Sequence, residues 1–83
     1  MPWVHVIWDS FSPEGNLAHI EEHGLTAEDV EEILRDPDYL GTSRSSGLPM
    51  AVGRTSDGRV VCVIYQQLDP ITVFPVTAFE WED

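Results

Sequence analysis

The chain opens with Trp3-Val4-His5-Val6-Ile7-Trp8, a β-branched and aromatic run too short for a helix, closed by Asp9-Ser10. It predicts a first strand. Ser12-Pro13-Glu14 then supplies an N-cap, a first-turn proline and an acid, and Leu17 and Ile20 mark one helix face before Gly24, where a left-handed C-cap is wanted. A first helix is expected over about residues 13–23. Thr26 followed by Asp29 resembles a capping box, and Ala27, Val30, Ile33 and Leu34 recur at helical spacing until Asp36-Pro37. The second helix is therefore amphipathic, with Glu28, Asp29, Glu31 and Glu32 on its polar side.

Past Pro37 the period becomes strand-like. A weak segment spans Tyr39 to Ser43, a loop holds Ser45-Ser46-Gly47, and strands are predicted near 49–55, 59–67 and 71–79. Pro75 cannot donate to a ladder, so it marks an edge or a bulge in the last strand. Between two strands lies Thr55-Ser56-Asp57-Gly58. With Ser56-Asp57 at the centre of a type I turn, Gly58 takes a bulge position with positive φ, Thr55 faces Arg59, and Arg54 faces Val60. Pairing without the bulge would set Arg54 directly across from Arg59, and the glycine favours the first register. On that register Met50, Val52, Val60, Cys62 and Ile64 are expected beneath the helices with Arg54 at their rim. Arg59, Val61, Val63, Tyr65 and Gln67 would line the other face, where Val61, Val63 and Tyr65 would form an open apolar patch suited to self-association or a partner.

These elements describe a single α+β domain over residues 1–83, in the order β-α-α-β-β-β(-β), with two helices packed on one face of a four- or five-stranded antiparallel sheet. Leu17, Ile20, Val30, Ile33, Leu34, Val52, Cys62 and Ile64 are its expected core. At this size the net margin is only roughly 3 to 5 kcal/mol. The hydrophobic fraction of 42% is that of a folded chain, so the formal net charge of −11 belongs to its surface. No internal repeat or low-complexity stretch interrupts it. The longest apolar run is Val60 to Tyr65, and Met1-Pro2-Trp3 lacks a basic leader, so no membrane span or signal peptide is expected and a cytoplasmic location is. The lone Cys62 cannot form an internal disulfide and reads as a small buried hydrophobe.

Candidate chemistry is sparse. His19 and His23 share a helix face, but Ile20 stands where a zinc-binding H-E-x-x-H motif needs glutamate and no third ligand is evident, so no metal and no cofactor is expected. His23 would instead serve the carbonyls of the helix C-terminus. His5 reads as a structural strand residue, and Trp3, Trp8 and Trp81 as core and rim packing. The acidic run Glu28 to Glu32 reads as a solvated helix face or as a docking surface for a basic partner.

Val6-Ile7-Trp8-Asp9, Asn16 with His23-Gly24-Leu25-Thr26, the acidic helix ending at Asp36-Pro37, and Ala51 to Arg59 running into Val60 to Tyr65 together resemble the BrnT family of bacterial toxins. The resemblance spans residues 6 to about 78. It implies a RelE-like ribonuclease fold, endoribonuclease activity, and a DNA-binding antitoxin as partner. Catalysis in such a fold needs a cation at the scissile phosphate and a proton-transfer group, and Arg54, His23, Tyr65 and Arg59 are the set available: Arg54 for the phosphate, His23 or Tyr65 for the proton. Family members carry lysines near the first helix and a basic C-terminal segment, whereas this chain has 15 acids, four arginines and no lysine. Its field repels a polyanion, so charge disfavours RNA. The alternative is a noncatalytic relative that binds an antitoxin or other basic protein, or a second copy of itself, through its acidic surface or open sheet face. A small-ligand or metal module is a third, for which only the two helix histidines speak. In so acidic a chain Arg54, at the rim of the helix-covered face, is expected to form a structural ion pair, and Arg59 to stay solvent-exposed.

Overall fold

Gly24 and Pro37 divide the helical part of the chain where the pattern requires. The computed structural model describes residues 5–9 and 15–81. Trp3 and Val4 of the expected first strand, Ser12-Pro13-Glu14, and the chain end Glu82-Asp83 lie outside the described residues, and the first helix starts at Asn16 with Gly15 as its N-cap, later than the expected residue 13. The elements are β1 (His5–Val6), α1 (Asn16–Glu22), α2 (Ala27–Arg35), β2 (Tyr39–Thr42), β3 (Pro49–Arg54), β4 (Val60–Asp69) and β5 (Thr72–Glu80). Gly24 has φ +77° after α1. The capping box of α2 is complete: the Thr26 hydroxyl accepts from the Asp29 amide at 3.2 Å, and the Asp29 carboxylate accepts from the Thr26 amide at 3.1 Å.

The five strands form one sheet in the order β1-β5-β4-β3-β2. Strands β2 to β5 are an antiparallel meander, but β1 runs parallel to β5, with His5 beside Thr72 and Val6 beside Val73. The sheet is therefore mixed rather than wholly antiparallel. β1 and β2 occupy opposite edges, so the two helices carry the chain across the whole sheet. The direction of β1 follows from that crossing, on which strand periodicity is silent.

The turn between β3 and β4 takes the bulged form. Arg54 pairs with Val60, the Thr55 amide donates to the Arg59 carbonyl at 2.9 Å, and Gly58 has φ +89°. Pro75 lies within an inner strand and sits at a bulge: Ile64 pairs with Thr77 and Tyr65 with Pro75, leaving Val76 unmatched.

The covered face is the opposite of the one expected. Ala51, Val61, Val63, Tyr65, Val73 and Ala78 pack with Ile20, Leu25, Val30, Ile33 and Leu34, and Val6, Trp8 and Leu17 pack against this core. Met50, Val52, Cys62 and Ile64 face away from the helices, as their pairing requires. Val61, Val63 and Tyr65 are thus core residues and form no open patch. The reason is compositional: Val60 to Tyr65 is apolar at every position, so its alternation does not say which side is covered. The small residues of β3 do. A Cβ on Gly53 would stand 3.2 Å from Cγ2 of Ile33, so α2 approaches the sheet where β3 has almost no side chain.

One buried polar residue joins the layers. Asn16, 5% exposed, accepts from the Asp9 amide at 2.7 Å and donates to the carbonyls of Ile7 and Pro75, each at 2.9 Å. Trp8 adds a second tie, its indole N–H donating to the Glu31 carboxylate at 2.8 Å.

Two substitutions test this architecture by denaturant unfolding. Ile33→Ala should lower stability by about 2 to 5 kcal/mol. Asn16→Ala should cost about 1 to 3 kcal/mol for each buried group left without a partner. An unchanged midpoint for either would remove that residue from the role described.

Candidate functional site

The four residues expected to form a catalytic set are separated by the sheet. Tyr65 is 4% exposed within the helix-covered core, where burial pushes its phenol up from the usual tyrosine range and away from use as a base near neutrality. His23 follows the last turn of α1 at the surface, its ring edge-on to His19 at 5.4 Å between centroids, and His19 lies 4.0 Å from Glu22. Among the described residues no group of three or more His, Cys, Asp or Glu is placed to hold a metal ion.

Arg59 is engaged on the helix side. Its Nε donates to both Asp57 carboxylate oxygens at 3.0 and 3.2 Å, Nη1 donates to the Gly24 carbonyl at 3.1 Å, and Nη2 reaches Asp29 at 3.4 Å. Asp29 is also the capping residue of α2. Arg59 therefore clips the β3–β4 turn to the junction between the helices. Thr55 donates from its hydroxyl to Asp57 and accepts from the Arg59 amide at 3.1 Å. These contacts hold the Asp57 carboxyl below the usual range, the Thr55 hydrogen bond first and Arg59 second, and they raise Arg59 in turn.

Arg54 has none of this. It is exposed on the opposite face and, among the described residues, takes part in no salt bridge. The expected roles of the two arginines are exchanged: Arg59 is the structural ion-pair residue and Arg54 the free one. The cause is the inverted sheet, since Arg59 shares the face of Val61 and Arg54 that of Val52. General acid–base work needs groups within hydrogen-bond reach of one reacting centre. Arg54 on one face, buried Tyr65 within the other and His23 beyond the helices do not supply that.

What the open face offers is a shallow groove of about 840 Å³. Met50 and Ile64 form its floor above Cys62, Phe79 and Trp81 one wall, and Tyr39 with the Thr42 to Ser45 loop the other, Arg44 included. The surface continues past Tyr39 and Trp81 to a second depression around Val52, Val60, Asp38 and Arg54. Cys62 is fully buried, its thiol pointing at the Met50 sulfur 3.7 Å away, and burial raises its pKa, which leaves it a floor residue rather than a nucleophile. Sequence reading missed Tyr39, Arg44, Phe79 and Trp81 as a group. The available signal was the alternation of Met50, Val52 and Arg54, which share one side of β3.

Charge divides by side as well. Glu21, Glu22, Glu28, Glu31 and Glu32 lie on the helices, whereas among the described residues Asp38 is the one acid lining the two depressions. No helix among the described residues is long and apolar enough to cross a membrane. Comparison with protein-family models, with curated proteins and with solved structures gives no match to this chain.

The ion cluster generates a prediction with a definite sign. Arg59→Ala should lower the melting temperature more than Arg54→Ala. A depressed Asp57 contributes stability that is present above the ordinary aspartate value, about 4, and is lost as pH falls through the lower folded value. Unfolding followed between pH 6 and pH 2, in steps of about one unit, should therefore show a shallower acid loss for Asp57→Asn than for the parent. Equal slopes would mean that the cluster carries no stability.

Proposed function

We propose that this chain is a BrnT-like member of a toxin–antitoxin system that acts as a noncatalytic interaction module, with the open face of its sheet as the working surface. The observation that carries this is the separation of Arg54 from His23, Tyr65 and Arg59. The face that keeps a free cation has neither proton-transfer candidate on it. It has instead an apolar floor with Tyr39, Phe79 and Trp81 around it, the composition of a recognition surface with aromatic anchors. The resemblance to the toxin family supports an antitoxin as the partner, and a protein ligand suits a chain whose net charge of −11 repels RNA.

RNA cleavage is the competing reading, and Arg54 is the residue that supports it, as a lone cation at a phosphate. Incubation of the purified protein with a structured and an unstructured RNA should give no cleavage above a protein-free control. Cleavage that is abolished by Arg54→Ala at unchanged melting temperature would establish the enzyme and remove the noncatalytic reading.

A further inference from the structure

We infer that the open face takes an extended acidic segment of a protein partner, which adds as a sixth strand along β2 and places one carboxylate on Arg44 and another on Arg54. This rests on the reading of the open face as a docking surface and names the chemistry of its ligand.

Three observations converge on it. β2 is the last strand of the sheet, so one side of its backbone faces no other strand. An unpaired edge is a template for strand addition, in which main-chain hydrogen bonds supply affinity. β2 is short, four residues, but of the other devices that protect an edge Tyr39-Leu40-Gly41-Thr42 has no charge and no proline, and Tyr39 and Leu40 are 57% and 52% exposed.

The second observation is the placement of the arginines. Arg54 lies two residues beyond Val52, the partner of Tyr39, and Arg44 lies two residues beyond Thr42 at the other end. Seven residue positions separate their levels along the edge; fully extended steps of roughly 3.3 Å would make that about 23 Å, and the turn that holds Arg44 shortens it. A single small anion cannot reach both. An extended peptide with acids six residues apart does, and an even spacing keeps both acids on one side of its pleat.

The third is charge. Arg44 and Arg54 have no salt-bridge partner among the described residues, against the single Asp38 in the lining. The helix acids lie across the sheet, where salt screens charge over a Debye length of about 8 Å, so among the described lining residues the two arginines outnumber the acids. A single-stranded RNA would carry one charge per nucleotide past only two arginines, whereas a peptide brings two carboxylates and an apolar middle for the Tyr39 side of the groove. A second copy pairing antiparallel through β2 would set Arg44 of one chain beside Arg54 of the other, cation against cation.

The probe is a fluorescent peptide, Asp-Thr-Val-Thr-Val-Thr-Asp, capped at both ends and symmetric in charge so that either strand direction is served. Binding is followed by anisotropy and by amide shifts on the protein. The aspartate peptide should bind and shift Tyr39 to Thr42, and the same peptide with lysine at both ends should not. Arg44→Ala and Arg54→Ala should each weaken it about two- to five-fold, as exposed charge pairs do. Two N-methylated versions, blocking alternate sets of backbone N–H groups, leave the protein untouched: one should lose binding and the other keep it. Equal binding of both, equal binding of the lysine peptide, or no binding at all would overturn strand addition, while a partner that binds the groove without shifting β2 would leave the docking reading in place. Tighter binding of an oligouridylate to the same face, with cleavage, would remove both. Dimerisation through β2 in sedimentation, abolished by Leu40→Asp, would assign the edge to a second copy and overturn the proposal.

Discussion

The Asn16 side chain is the constraint on which the layering depends. Pro75 interrupts the ladder of an inner strand, and the bulge beside it leaves Val76 unmatched and Pro75 with a carbonyl turned toward the helices. A buried carbonyl without a donor is costly. Asn16 supplies the donor from the first position of α1, and its second N–H and its oxygen hold the end of β1 at Ile7 and Asp9. Three separate parts of the chain are joined by one amide. A Cβ on Gly15 would meet the Asp9 carbonyl at 2.5 Å, so the approach of α1 to this strand end also requires the smallest residue just before the asparagine. Asn16 stood out in the sequence as part of a family resemblance, and what it does here is structural.

With the helices fixed by that latch, the sheet becomes a partition. Its covered side is closed by apolar packing and by the Arg59 clip, which fastens the hairpin to Gly24 and Asp29. Every strong ion-pair geometry in the described residues belongs to that side. The open side keeps an apolar floor and aromatic walls without a helix over them, and its arginines remain unspent on internal carboxylates. The ion pairs and helix contacts thus lie on one face of the sheet, and the aromatic-walled groove on the other.

The elements legible in the sequence are those decided by neighbours along the chain. The Thr26–Asp29 capping box, the left-handed Gly24, the bulged turn at Gly58 and the irregularity at Pro75 each depend on a few adjacent residues with strong local preferences. What was not legible depends on the third dimension. β4 is apolar on both sides, so register shows which residues share a face and not which face meets the helices. That single ambiguity carries the rest: with the faces inverted, Val61, Val63 and Tyr65 enter the core, and Arg54 and Arg59 exchange roles. Leu25 escaped notice for a similar reason, since it lies in a turn outside any periodic pattern and is nevertheless buried. Gly53 and Ala51 held the correcting signal, because a helix packs closest where the strand beneath it is smallest.

A net charge describes a chain as a single point, and the distribution found here shows how little that decides. In a protein with 15 acids an exposed arginine would ordinarily fold onto the nearest carboxylate, and Arg59 does so, with two of them. Arg44 and Arg54 do not, because among the described residues the face they occupy offers Asp38 and no other acid in its lining. Surface ion pairs are worth at most about 1 kcal/mol, so no large energy holds these side chains apart from acids elsewhere; position alone does. The helices carry a share of the acids to the far side of the sheet, salt screens them within about a nanometre, and among the described residues lining the open face the arginines outnumber the acids. The overall charge then governs solubility and long-range repulsion, while at short range the open face is described by the two arginines and Asp38.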